Sequence, residues 1–130
     1  MEDEIKILNE IIITPLVKAH KTLDTGIAKA KTELEKDGVI QRFEYTYELL
    51  WKTLKRILEY KGIPLKNPRD IFRESAIQGL IDNPEFWFEV IRKRNLTTHT
   101  YSEDYSYEIY EFLPEFNKEV SNIITTLKSL

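Results

Sequence analysis

The chain has 130 residues, 42% of them hydrophobic and 32% charged, which suits one domain with a core and excludes a two-domain enzyme or a largely disordered chain. Nineteen basic against 22 acidic residues give a formal net charge of −3, so no global positive field draws it to DNA or anionic lipid, and any RNA contact needs a local patch. Zero cysteines and two histidines exclude a disulfide framework, a thiolate zinc site, a cysteine nucleophile and a multi-histidine metal centre within one chain.

Residues 1–13 are ambiguous. Ile5, Leu8 and Ile12 suit a helix, whereas Ile11-Ile12-Ile13 is β-branched, so a short helical arm or an extended tail is expected ahead of a bundle over 14–130. Met1-Glu2-Asp3-Glu4 has the wrong charge for a signal peptide, and the apolar runs fall far short of the ~20 residues of a membrane span, so a cytoplasmic protein is expected.

Thr14 is a candidate N-cap with Pro15 at the first helical position. The series Leu16, His20, Leu23, Ile27, Ala30, Leu34 lays one stripe along a first helix that Gly38 can end. A second helix carries Ile40, Phe43, Tyr47, Leu50, Trp51, Leu54, Ile57 and Leu58 and stops at Gly62 and Pro64. Asn67-Pro68 opens a short helix ending near Gly79, and Asn83-Pro84 opens one through Phe86, Trp87, Val90 and Ile91. Ser102, with Glu103 and Asp104 behind it, opens the last helix, whose stripe runs Tyr105, Ile109, Phe112, Phe116, Val120, Ile123, Leu127, Leu130, with a kink expected at Pro114. No strand, repeat or linker is evident. The fold class is therefore all-α, a single antiparallel up-and-down bundle of four to five helices over 1–130.

Glycine-rich phosphate loops are absent, as are HExxH and EF-hand patterns, so neither a self-contained nucleotide-hydrolysing enzyme nor a bound metal or other cofactor is expected. The segment that departs from an ordinary bundle is Arg94-Asn95-Leu96-Thr97-Thr98-His99-Thr100-Tyr101. On a helical wheel with Arg94 at zero, Trp87 falls at about 20°, Val90 at about 320° and Ile91 at about 60°, which puts Arg94 at the centre of its helix's apolar stripe. A guanidinium aimed at a core must be paired or must face a wet cavity. His99 falls about 140° round, so it meets Arg94 only if the helix ends or loosens near Thr97 to His99, or across a subunit interface.

Plainer readings stand beside this one. Arg94 can snorkel or pair with Glu44 or Glu48, which lie one turn apart on the second helix and are otherwise solvated; His99 can be an ordinary C-terminal histidine. His20 lies on a core stripe and suits packing. Tyr105, Tyr107 and Tyr110 suit core and interface positions more than a stacking platform.

The Arg94-x4-His99-x-Tyr101 pattern resembles the motif of HEPN proteins. The stretch Asp37 to Lys52 (DGVIQRFEYTYELLWK) resembles the second-helix signature of one branch, the nucleotidyltransferase substrate-binding protein family. Asn67-Pro68-Arg69-Asp70-Ile71-Phe72-Arg73-Glu74 and the Gly79-Leu80-Ile81-Asp82 turn fit as well, so the likeness runs from about residue 33 to 127, in three ordered blocks that make it specific. Before that, the chain matches only as an amphipathic helix.

The resemblance implies a homodimeric bundle working beside a separately encoded minimal nucleotidyltransferase, in a pair similar to a toxin–antitoxin module. In the toxin branch the motif arginine and histidine from two subunits form a metal-independent ribonuclease site, and the partner transfers AMP to the motif tyrosine. Carried onto this chain, Arg94 would hold phosphate, His99 would be general acid or base, and Tyr101 would be the modified hydroxyl, with Asn95, Glu44 and Glu48 in support. A guanidinium fork suits phosphate, and imidazole titrates near neutral pH. Two functions compete: a non-catalytic substrate-binding or regulatory subunit, favoured by the acidic balance, and an endoribonuclease acting on RNA, favoured by the intact triad. The subunit is the expected one.

Overall fold

The computed structural model describes residues 4–130. Two short strands, β1 (Lys6–Ile7) and β2 (Ile11–Ile12), precede five helices: α1 (Thr14–Lys29), α2 (Glu33–Tyr60), α3 (Pro68–Ile77), α4 (Pro84–Leu96) and α5 (Glu103–Lys128). A 3-10 turn, Thr97–His99, follows α4. The fold is the expected helical bundle. No helix among the described residues is long and apolar enough to cross a membrane.

The arm is neither helix nor tail. β1 and β2 pair antiparallel, Lys6 opposite Ile12 and Ile7 opposite Ile11, through a turn that holds Leu8 and Asn9 at positive φ. Ile11 and Ile13 are buried and Ile12 between them is exposed, which is the period of a strand rather than a helix. Thr14 does not cap α1; its hydroxyl accepts from the Ile5 amide at 2.7 Å and ties the hairpin to the start of the helix. The expectation for positions 1–3 lies outside the described residues.

The first helix also ends earlier than its stripe suggests. Thr32 accepts from the Glu35 amide while the Glu35 carboxylate accepts from the Thr32 and Lys31 amides, a reciprocal cap that starts α2 at Glu33. These bonds hold the Glu35 carboxyl below the usual range. This cap, rather than the continuing apolar spacing, sets where the second helix begins. Leu34 is consequently 82% exposed, and Gly38 lies inside α2 instead of ending α1. Gly26 lets α1 cross α2 closely: a methyl group there would lie 3.0 Å from Val39 Cγ2 and 3.1 Å from Arg42 Nη1, so those side chains would have to shift by a few tenths of an ångström.

Other boundaries follow their local signals. Gly62 turns the chain at φ +83° after α2, and the Asn67 side chain accepts from the Asp70 amide at the start of α3. Asn83 and Ser102 precede α4 and α5 without a side-chain cap bond. The last helix continues through Pro114 on its exposed side, but its stripe is shorter than expected: Tyr105 and Leu130 at its ends are exposed.

α1 lies against α2 and α5, α2 also meets α3 and α5, and α4 rests on α3 and α5. An aromatic seam joins four of them. Phe43 meets Phe116 edge to face at 4.8 Å, Phe116 meets Trp87 at 6.0 Å, and Trp87 stacks on Phe72 at 5.2 Å. His20 packs as the stripe implies, its Nδ1 2.7 Å from Asn117 Oδ1, with Asn117 in turn donating to Asp24.

Tyr47 sits in this core beside Phe43 and Phe72. Burial pushes its phenol up from 10.0 to about 12, the Glu48 charge adds to the rise, and Arg94 opposes it. The unfolded chain therefore releases this proton first, so the stabilising contribution is whole below pH 10.0 and is lost as the pH climbs to about 12. Tyr47→Phe should remove that share of alkaline destabilisation, so urea midpoints measured across this range should fall less steeply in the variant than in the wild type. Equal slopes would contradict the assignment.

Candidate functional site

The segment singled out by the sequence occupies the end of α4, the 3-10 turn and the approach to α5. Two bonds convert the helix end into the turn. The Thr97 hydroxyl donates to the Arg94 carbonyl at 2.7 Å, and Arg94 Nη1 donates back to that hydroxyl at 2.8 Å. Thr98 repeats the first pattern on the Asn95 carbonyl, and the Ser102 amide closes onto the His99 carbonyl. Helical winding thus loosens over Thr97–His99, where the wheel required it if Arg94 and His99 were to meet.

Arg94 is not at the centre of the buried face. Its side chain is 27% exposed, whereas that of its neighbour Lys93 is 11% exposed. The buried positions of α4 and the turn are Trp87, Val90, Lys93 and Thr97, whose mean direction on the wheel is turned roughly 45° from Arg94 toward Lys93. The Lys93 ammonium is 2.8 Å from Glu108 and 3.5 Å from Glu89, over the ring of Phe112. Arg92 donates to both carboxylates from the exposed side. These cations hold both carboxyls below the usual range: Lys93 before Arg92 for Glu108, and Arg92 first for Glu89. The Arg92 pKa is raised in return. This four-membered network, which the sequence reading missed, fastens the last turn of α4 to the start of α5 and sets the span that the motif must bridge.

Arg94 reaches toward α2, where Glu44 lies 3.7 Å from Nη1 and Glu48 4.0 Å from Nε. Those contacts are too long for hydrogen bonds. Arg94 Nε is buried without an acceptor, and the guanidinium makes one hydrogen bond among the described residues. His99 and Tyr101 form a separate cluster. His99 is exposed, and its Nδ1 lies 3.2 Å from the Tyr101 hydroxyl, with the two rings edge to face at 5.8 Å and Tyr105 flanking at 6.3 Å. Tyr101 is 84% exposed. Asn95 is exposed with its side-chain amide uncommitted.

The structure therefore brings Glu44, Glu48 and Thr97 to Arg94, and brings Tyr101 to His99. No hydrogen bond joins the two groups among the described residues. No three His, Asp or Glu side chains among those residues converge as a metal site. Chemically, the first cluster offers unused guanidinium donors for an anion, and the second offers an accessible phenol beside a proton acceptor.

Comparison with known proteins gives this arrangement a family. Residues 12–129 match the family described as nucleotidyltransferase substrate binding protein like. A Haemophilus influenzae protein named "Probable ribonuclease HepT" is 33% identical over 96 residues, 70% of this chain and 66% of the relative, so the matched stretch spans just under two thirds of that curated protein. A crystal structure from Thermus thermophilus superimposes with a TM-score of 0.81 at 30% identity, covering 86% of this chain and 98% of the other. A Haemophilus influenzae structure, described as revealing the fold of a substrate binding domain of a nucleotidyltransferase, superimposes with a TM-score of 0.82 at 26% identity, covering 89% and 98%. With its family match over nearly the whole bundle and these neighbours in the same fold, the chain belongs to the nucleotidyltransferase substrate-binding protein family, with a HEPN-like helical architecture.

Proposed function

We propose that this chain is the helical substrate-binding or regulatory subunit of a two-component minimal nucleotidyltransferase, and that Tyr101 is the hydroxyl to which the partner transfers AMP. The observation that carries the reading is the exposed Tyr101 phenol held 3.2 Å from His99 Nδ1. In the transfer, the Tyr101 oxygen attacks the α-phosphorus of ATP and forms a new phosphodiester bond. The bond from that phosphorus to the bridging oxygen of the β-phosphate breaks, pyrophosphate leaves, and the phenol proton passes to His99. The family, whose members are substrate-binding proteins of nucleotidyltransferases, supports a transferase as the partner.

A second reading, a metal-independent endoribonuclease, is favoured by the Arg94 guanidinium, which pairs only loosely with Glu44 and Glu48 and makes one hydrogen bond among the described residues, and by the relative named for ribonuclease activity. There a ribose 2′-hydroxyl would attack the adjacent phosphate, His99 would move the proton and Arg94 would neutralise the phosphate. Because Arg94 and His99 stand in separate clusters, this chemistry draws on a two-fold homodimer that sets both segments around one cleft. Adenylation of Tyr101 would then silence the cleavage, as in a toxin–antitoxin pair.

Incubation with the partner transferase and ATP, read by mass spectrometry, should give an adenylate adduct that Tyr101→Phe abolishes; an undiminished adduct in that variant would reject the assignment. If the chain is also a ribonuclease, RNA cleavage in EDTA should fall about 10²- to 10⁴-fold in His99→Ala and comparably in Arg94→Ala, with helicity unchanged. Cleavage that persists in both variants would reject the ribonuclease reading.

A further inference from the structure

An open groove of about 410 Å³ lies beside Arg94 between α2, α3 and α4, walled by Glu48, Trp51, Arg69, Ile91 and Asn95. A second hollow of about 510 Å³ shares Arg69, Ile91 and Asn95 and continues over Phe88. Arg69 stands between the two. Its guanidinium lies 4.3 Å from the Phe88 ring centroid and is ion-paired to no carboxylate among the described residues. Arg94 lines the same groove, with one hydrogen bond, to Thr97, among the described residues and with Glu44 and Glu48 at 3.7 and 4.0 Å. Trp51 is half-buried on the wall, its indole N–H turned to Glu48 at 3.2 Å.

Two guanidiniums with unused donors suit a phosphate, a flat indole suits a base, and an uncommitted asparagine amide suits a base edge. We propose that this groove binds one nucleotide unit, its phosphate held by Arg94 and Arg69 and its base stacked on Trp51. The proposal rests on the function given above only in taking Arg94 as a phosphate ligand. The unit belongs either to a free mononucleotide or to an RNA strand. Glu44, 3.7 Å from Arg94 Nη1, and Glu48, 4.0 Å from Arg94 Nε and bonded to the Trp51 indole, oppose the phosphate and weaken its binding in the groove.

Tryptophan fluorescence reads this site directly. The chain has two tryptophans and Trp87 is 1% exposed, so quenching by a ligand reports Trp51. The full chain carrying both His99→Ala and Tyr101→Phe, in which neither transfer nor cleavage can run, is titrated with 5′-AMP, with inorganic phosphate and with a 2′-O-methyl oligoribonucleotide that cannot be cleaved. Saturable quenching by AMP identifies a free nucleotide as ligand, and quenching by the oligonucleotide alone identifies an RNA strand; either supports the groove. Arg69→Ala should weaken binding about tenfold or more, Glu48→Gln should tighten it several-fold, and calorimetry should find binding kept in Trp51→Phe but lost in Trp51→Leu, with helicity unchanged throughout. No quenching by either nucleotide at millimolar concentration, or an affinity unmoved by Arg69→Ala, overturns the proposal. Phosphate or an acidic peptide binding as tightly as AMP overturns it too. Because the titration needs no turnover, its failure leaves the Tyr101 assignment standing, and failure of adenylation leaves the groove standing.

Discussion

Lys93 carries its ammonium to the seam between α4 and α5, and an ammonium so placed has to find an anion. Glu108 supplies it at 2.8 Å, and Glu89 and Arg92 complete a network that draws the end of one helix onto the start of the next. The chain between the two helices has six residues, 97 to 102, in which to reverse direction. Thr97 makes the reversal by bonding the Arg94 carbonyl and guanidinium at once, so Arg94 is turned to α2 while His99 and Tyr101 emerge on the exposed side. Two chemically distinct clusters thus arise from one constraint. The aromatic seam of Phe43, Phe116, Trp87 and Phe72 supplies the rigid floor on which that reversal is built.

Much of the bundle was legible because its signals are local. Asn67-Pro68, Gly62 and the apolar spacing of α2 and α5 each act within a few residues of the boundary or face that they set. The reading failed where two local signals competed or where the deciding partner was remote. Thr32 and Glu35 form a capping pair that is visible in the sequence, but the unbroken stripe through Ala30 to Leu34 masked it. The hairpin strands are two residues long, too short for alternation to outweigh a helical spacing. The face of α4 was set by Glu108, 15 residues further along, which makes burial of the Lys93 stem acceptable and turns Arg94 toward the groove.

The motif residues were legible as a set, because Arg94, His99 and Tyr101 stand at a spacing that carries a family resemblance. Their division into two clusters was not, since it depends on the Thr97 hydroxyl and on where α2 places Glu44 and Glu48. Arg69 and Trp51, which wall the groove beside Arg94, drew no notice as a pair because they come together only when α2, α3 and α4 pack. A phenol beside an imidazole and a guanidinium with spare donors are complementary halves of phosphoryl chemistry: one supplies the acceptor and the proton path, the other the countercharge.

On the proposed function, the segment from Arg94 to Tyr101 is where the partner transferase engages this chain. Hydrogen exchange read by mass spectrometry, with and without the partner in the presence of a non-hydrolysable ATP analogue, tests it directly. Engagement there should slow exchange across the turn at 97–99 and the first turn of α5, with the α1–α2 junction at 30–32 unchanged. Slowed exchange confined to that junction or to the hairpin, with the Tyr101 segment untouched, would contradict it.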